Sequence, residues 1–320
     1  MKFLITGITG FNGPHMAKKL LDEGHEVHGM VRKPLAPNHE VKMYTNGRIK
    51  FVIGDLMEDT DRLFQNVKYD GIFHLGAFTH PPSSFKDPIT CYEVNTLGSI
   101  RIAESVRRFQ PDCVLMQCST CEVYGVPPDG TIMHEGIQEI PSNPYGASKL
   151  AADQFVRQAA KNFGLKCFIT RAFSHTGPFR RQNYSISSDA VQIAKIIAGK
   201  QEPVIKVGNL ECIRSVMDVR DVVDVYEQLM MRAISGEVPS AEVYHVSGGI
   251  PMKIGDYLNK MTNMFNIEPR IEVDQSLYRN IDIPVQIPNS DKVRNFLGWK
   301  PKIPIDQTLA DLVKYWLEKV

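Results

Sequence analysis

The sequence predicts a doubly wound α/β fold, a parallel sheet between helices, with a smaller lobe formed by the C-terminal part of the chain. Three observations carry that expectation. The chain opens on an apolar run (Phe3, Leu4, Ile5), a glycine turn (Gly7-Ile-Thr-Gly10-Phe-Asn-Gly13) and a helical pattern (Met16, Leu20, Leu21). Strand and helix patterns then alternate as far as about residue 170. Several of the strand runs are apolar on both faces, as strands covered by helices on each side must be. In such a sheet a ligand sits at the carboxyl ends of the strands.

The strand-like runs are Lys2–Thr6, Val27–Val31, Ile49–Val52, Gly71–Leu75, Cys113–Cys118 and Lys166–Thr170. Helical runs cover 13–23, 59–67, 92–109 and 146–163. Beyond residue 173 the pattern changes. A polar loop spans Thr176–Ser188, a helix Ala190–Ala198 and a strand Val204–Val207. Helix 219–233 and strand Val243–Val246 are expected to rejoin the main sheet. The tail 250–320 reads as helices joined by loops bearing Pro269, Pro284, Pro288, Pro301 and Pro304. The expected division is therefore 1–173 plus 213–248 for the sheet domain, and 174–212 plus 249–320 for the smaller lobe.

Composition narrows the function classes. A net charge of +1, with mixed signs along the chain, gives no footprint for nucleic acid or a membrane surface. No apolar run reaches the length of a membrane span, and no signal-peptide pattern precedes the first strand. The six cysteines have no disulfide-framework or zinc-ribbon spacing, which fits reduced thiols in a cytoplasmic protein. Cys118 and Cys121 form a Cys-x-x-Cys pair, but on a strand rather than at the helix start that activates such a thiol.

The chemistry-bearing residues gather at strand ends. Backbone N–H groups of the glycine turn, at a helix N-terminus, suit a dinucleotide pyrophosphate; the contacts fall on Gly7, Thr9, Gly10, Phe11, Asn12 and Gly13. An acid after the second strand would hold the ribose hydroxyls of NAD; Arg32 and Lys33 stand there instead and suit the 2′-phosphate of NADP, with NAD the alternative. Asp55, ending the third strand, could meet an adenine amino group or cap a turn. The fifth strand ends Ser119-Thr120-Cys121-Glu122. Tyr145 and Lys149 lie one helical turn apart, and a nearby ammonium favours a phenolate able to exchange a proton with a hydroxyl. Tyr315 and Lys319 repeat that spacing in the last helix, where a solvated pair is expected.

The ordered set of motifs resembles the extended short-chain dehydrogenase/reductases that act on nucleotide sugars, built on a Rossmann sheet. The matching segments are Thr6–Gly13, Val94-Asn-Thr-Leu-Gly98, Ser119–Gly125, Tyr145-Gly-Ala-Ser-Lys149, Arg171–Pro178, Arg214–Asp221 and Leu297-Gly-Trp-Lys-Pro301. Val27–Arg32, the Ser-Thr-Cys-Glu strand end and Val207–Glu211 are most similar to GDP-mannose 4,6-dehydratases and GDP-4-keto-6-deoxymannose reductases. The resemblance implies that Thr120 and Tyr145 hold the sugar's 4-hydroxyl, with Tyr145 as base. It implies that Lys149 binds the nicotinamide ribose and that Glu122 removes the C5 proton. It places Leu56, Leu75, Gly76 and Ala77 at the cofactor, and His80, Ser174, Arg180, Arg181, Arg214 and Arg279 at the GDP-linked sugar. It implies a homodimer or homotetramer, a lyase as first reading, and a reductase, 4-epimerase or decarboxylase as alternatives. Two departures stand out: Cys121 replaces an acid or serine, and Ser174 replaces an asparagine.

Overall fold

Seven strands form one parallel sheet in the computed structural model of the chain, which describes residues 1–278 and 281–320. They are β1 (Lys2–Thr6), β2 (Glu26–Val31), β3 (Lys50–Ile53), β4 (Gly71–His74), β5 (Val114–Thr120), β6 (Cys167–Ala172) and β7 (Glu242–Val246). Their spatial order is β7-β6-β5-β4-β1-β2-β3. The chain thus winds from β1 to β3 in one direction, then restarts with β4 on the other side of β1. That reversal opens a crevice above the β1 and β4 ends.

The long helices are α1 (Asn12–Asp22), α2 (Gly98–Phe109), α3 (Pro144–Phe163), α4 (Ser185–Ile197), α5 (Val219–Ile234), α6 (Ile254–Met264) and α7 (Ile305–Leu317). Alternate strand residues feed two cores. Phe3, Ile5, Phe73, Met116 and Phe168 pack on Met16 and Leu20 of α1 and on Val222, Leu229 and Met230 of α5. Leu4, Ile72, Leu115 and Ile169 face the other way, onto Ile102 and Val106 of α2 and Val156 and Ala159 of α3. This two-sided burial is why the strands read as apolar runs. A third core joins α4, α6 and α7 through Ile193, Tyr257, Leu258, Met261, Leu309 and Leu312. Strand β7 pairs in parallel with β6, so the chain does return to the sheet after leaving it. No helix among the described residues is long and apolar enough to cross a membrane.

Several element boundaries differ from the sequence reading. The helix expected over 59–67 is a single turn, Arg62–Gln65, because the Asp59 carboxylate accepts from the Asp61 N–H and delays the start. The run 92–109 begins earlier, at Pro88, where the Asp87 carboxylate caps the Thr90 N–H. It then passes through a π-turn, Glu93–Leu97, before α2. The polar loop 176–188 is shorter than expected: three serines conceal the start of α4, whose Ile186, Ala190 and Ile193 face the third core. The tail also contains strands, of which Arg270–Val273 pairs with Val204–Val207. Its four residues after Pro269 were too few to show alternation.

A buried charge network lies under the β5 and β6 ends. Arg171 of β6 is fully buried. It donates to Asp153 of α3 (3.2 Å), Glu139 (2.5 Å) and the Tyr124 hydroxyl (2.8 Å). Ser119 donates to the same Asp153 oxygen at 2.7 Å. Tyr124 meets His245 Nε2 of β7 at 2.5 Å. Burial opposes the Arg171 charge, but Asp153, Tyr124 and Glu139 outweigh it and raise its pKa. Removing one partner of such a pair strands the other, so Arg171→Ala should lose about 3–5 kcal/mol of stability. Urea denaturation of the variant measures this; a loss below 1 kcal/mol would mean the network is not structural.

Candidate active site

One cavity of about 540 Å³ runs along the crevice at the carboxyl ends of the strands. At one end lies the glycine turn. Gly7 has φ +68°, and a Cβ there would come within 2.7 Å of the Gly76 nitrogen. The turn and the segment after β4 therefore touch at the switch point. Thr6 Oγ1 accepts from the Gly76 N–H (2.9 Å) and meets His74 Nδ1 (2.8 Å). Burial, with the Lys149 charge nearby, lowers the His74 pKa to about 3, so this ring is neutral. Thr9, Gly10, Phe11, Asn12 and Gly13 bring the N-terminus of α1 into the wall, and no acid stands in its first turn. That combination fits a pyrophosphate.

The middle of the cavity carries Thr120, Cys121, Glu122, Tyr145 and Lys149. Asn143 caps α3 by accepting from the Gly146 N–H (2.8 Å), and its amide donates to Glu122 Oε2 (2.8 Å). One side chain thus starts the helix of Tyr145 and aims the carboxylate. Gly146 permits the fit: a Cβ there would lie 2.4 Å from the Glu122 carbonyl oxygen. Asn95, in the π-turn, donates to Phe78 O and Ser148 Oγ (both 2.9 Å) and accepts from the Phe78 N–H (2.8 Å). It locks the segment after β4 to the helix of Lys149. Burial raises the Tyr145 phenol well above its usual value, and the Thr120 hydroxyl draws it back. Burial thus opposes the phenolate expected from the nearby Lys149, and the Thr120 hydroxyl is the contact that works toward it. Burial likewise pushes the Cys121 thiol up, the opposite of a redox-active thiolate. All six cysteines are free thiols.

Most of the residues singled out from sequence meet here. Arg32, Asp55, Leu56, Leu75, Gly76, Ala77, Ser174, Arg180, Arg181 and Arg214 all line the cavity. Lys33 does not: the chain bends after β2, and only Arg32 of the two cations reaches the wall. His80 does not either. Its Nδ1 meets Ser83 Oγ at 2.7 Å at the head of a short helix, and its ring packs edge-on against Tyr184. Arg279 lies outside the described residues. Tyr315 and Lys319 do meet, the ammonium 4.6 Å from the ring centre, but the pair is not fully solvated. Tyr315 is half-buried, its ring lies 5.4 Å from that of Phe179, and Lys319 also pairs with Glu40 at 3.0 Å.

Other wall residues escaped the sequence reading. His175 stacks on Phe11 and meets the Asn12 amide oxygen at 3.1 Å. Tyr184 lies under the Arg180 guanidinium (3.5 Å) and donates to the Thr79 carbonyl (3.1 Å). Phe179, which lines a neighbouring pocket rather than this one, adopts φ +71°, unusual for a bulky residue, and is held there by the rings of His15, Tyr44 and Tyr315. Asn143 did leave a signal, since Asn-Pro before a helical run reads as a cap.

A model of the GDP-mannose 4,6 dehydratase family matches residues 4–312. The chain belongs to that family. It is 26% identical to the GDP-6-deoxy-D-mannose reductase of Pseudomonas aeruginosa, across 100% of this chain and 98% of that protein. It is 28% identical to human GDP-mannose 4,6 dehydratase, across 97% of this chain and 90% of that one. Among solved structures it resembles RMD of Pseudomonas aeruginosa, complexed with NADPH, with a TM-score of 0.83 at 26% identity over 100% and 99% of the two chains. It also shares the fold of Thermus thermophilus UDP-glucose 4-epimerase, with a TM-score of 0.86 at 22% identity over the whole of both chains. The Rossmann sheet expected from sequence is thus the fold of this enzyme family.

Two predictions follow from the geometry. Arg32→Ala should weaken NADP binding by about 1–3 kcal/mol, the worth of a charge-assisted hydrogen bond, and Lys33→Ala should leave it nearly unchanged. Fluorescence titration compares the two; equal losses would place the phosphate elsewhere. Tyr145→Phe should keep the fold and abolish turnover, whereas Tyr315→Phe should keep turnover. Steady-state rates of both variants decide it.

Proposed function

We propose that this chain is an NADP-dependent 4,6-dehydratase of a GDP-linked hexose. The observation that carries the reading is Glu122, a carboxylate in the cavity wall beside Thr120 and Tyr145 and fixed by Asn143. In that reading residues 1–173 and 213–248 form the cofactor domain, and 174–212 with 249–320 form the lobe that closes on the nucleotide sugar, which also meets Thr120, Glu122, Tyr145 and Arg214 of the cofactor domain. The glycine turn binds the pyrophosphate, Arg32 the 2′-phosphate, and Arg214 the sugar's diphosphate. NADP, when bound, supplies the acceptor that oxidises C4 and then gives the hydride back at C6.

The residues divide the remaining work. Thr120 holds the 4-oxygen while Tyr145 takes its proton, and Lys149 offsets the charge that Tyr145 then carries. A carbonyl at C4 makes the C5 proton acidic, and Glu122 removes it. Cys121, kept protonated by burial, protonates the 6-hydroxyl as the C6–O bond breaks and water leaves. A proton returns to C5 at the end, so the net change is loss of water.

A second reading, NADPH-dependent reduction of a 4-keto-6-deoxy sugar, has its own support. The P. aeruginosa reductase aligns with this chain over 98% of its length, and the human dehydratase over 90%. Burial also keeps Tyr145 protonated, the state that would donate to a 4-keto oxygen. Glu122→Gln separates the two. In a dehydratase it should still allow C4 oxidation of GDP-mannose but slow water loss roughly a hundredfold to ten-thousandfold. In a reductase it should leave NADPH consumption largely intact. Deuterium incorporation at C5 in heavy water, without added NADPH, is the expected signature of wild type; rapid NADPH consumption with no deuterium would replace the first reading by the second.

A further inference from the structure

Gln286 is 2% exposed, and its side-chain nitrogen has no hydrogen-bond partner. Several other buried polar atoms share that state among the described residues, but only Gln286 also belongs to the cavity wall. Its backbone position is well fixed. The Gln286 N–H donates to Ile213 O at 3.1 Å, and Val285 bridges to Ile213. The neighbouring Arg214 donates to the Pro284 carbonyl (3.4 Å) and lies 3.7 Å from Asp282. Arg214 in turn acts electrostatically on Cys121. Gln286 therefore stands in the cavity wall beside Arg214, the cation that reaches Cys121 electrostatically.

A buried amide without a partner is costly, and in a cavity wall the occupant can supply that partner. The chemistry of the occupant follows from the amide itself. A carboxamide carries no charge and both donates and accepts, which matches a hydroxyl rather than a phosphate. Arg214 already provides the charge for a diphosphate. We infer that Gln286 is a specificity-determining residue that hydrogen-bonds the 2- or 3-hydroxyl of the bound hexose. The assignment rests on the nucleotide-sugar reading above and works by elimination within it. Thr120 and Tyr145 take the 4-oxygen, Glu122 takes the C5 proton, and Cys121 serves the 6-oxygen. The hydroxyls left are those that the reaction does not alter.

Calorimetric binding to wild type and to Gln286→Leu tests this, with GDP-mannose and its 2-deoxy and 3-deoxy analogues as probes. UDP- and dTDP-linked hexoses with the same deletions run alongside. A mistaken nucleotide would change which series binds but leave the Gln286 comparison intact. Wild type should lose about tenfold in affinity when one of the two hydroxyls is deleted, and the variant should bind parent and that analogue equally, as expected for one neutral hydrogen bond. The melting temperature of the variant should not fall, because the substitution removes an orphaned amide rather than a contact. An equal hydroxyl penalty in wild type and variant overturns the assignment while leaving the proposed function standing. No measurable binding of any series overturns both.

Discussion

A single buried guanidinium holds the elements that carry Thr120, Tyr145 and Lys149 in register. Arg171 binds Asp153, which lies one helical turn beyond Lys149 on α3. The same carboxylate oxygen accepts from Ser119, the residue before Thr120. One charge pair therefore fixes the β5 end, where Thr120 stands, against the helix that carries Tyr145 and Lys149. The pair also reaches β7 through Tyr124 and His245, so the returning strand is tied to the same point. Burying charge is expensive, and hydrophobic packing of equal volume often matches it in stability. Here the gain is geometric: a salt bridge with this many hydrogen bonds permits one arrangement of its elements.

Different side chains support the cavity and face into it. Asn143 and Asn95 are uncharged and well satisfied, and they hold Glu122 and the segment after β4. Thr120, Glu122, Tyr145 and Lys149 are left facing the cavity. Amides suit the supporting task because they donate and accept at once and do not change charge with pH. They join two chain segments without adding charge beside the titratable groups of the cavity.

The sheet was legible because its physics is local. Two-sided apolar strands, one glycine turn and a regular helix spacing follow from residues near one another in sequence, and β1 and the Val204–Val207 strand appear where the residues place them. Elements decided by distant partners were less legible. The serines of α4 read as loop because the core that buries Ile186 and Ile193 comes from α6 and α7. In the cavity, turn and strand-end residues were found because their chemistry is unusual for their position. Lys33 and His80 lie outside the cavity lining, since side-chain direction is not carried by sequence. Gln286 and Tyr184 had no local signal at all, since each enters the wall from a different part of the chain. Tyr315 shows the converse: the Tyr-x-x-x-Lys spacing recurs in α7, and only the surroundings tell the two apart.

The π-turn at Glu93–Leu97 has a consequence for how this chain can vary in length. A helix advances by about 100° per residue, and a π-turn is one residue wider than the α-turn it interrupts. Deleting Glu93 or Val94 would restore a regular helix and swing Asn95 about a quarter-turn relative to the preceding helix, away from Phe78 and Ser148. The polar loops on the far side of the sheet impose no such phase. Insertions and deletions during divergence should therefore be accepted in those loops and refused at this turn, however ordinary its side chains look.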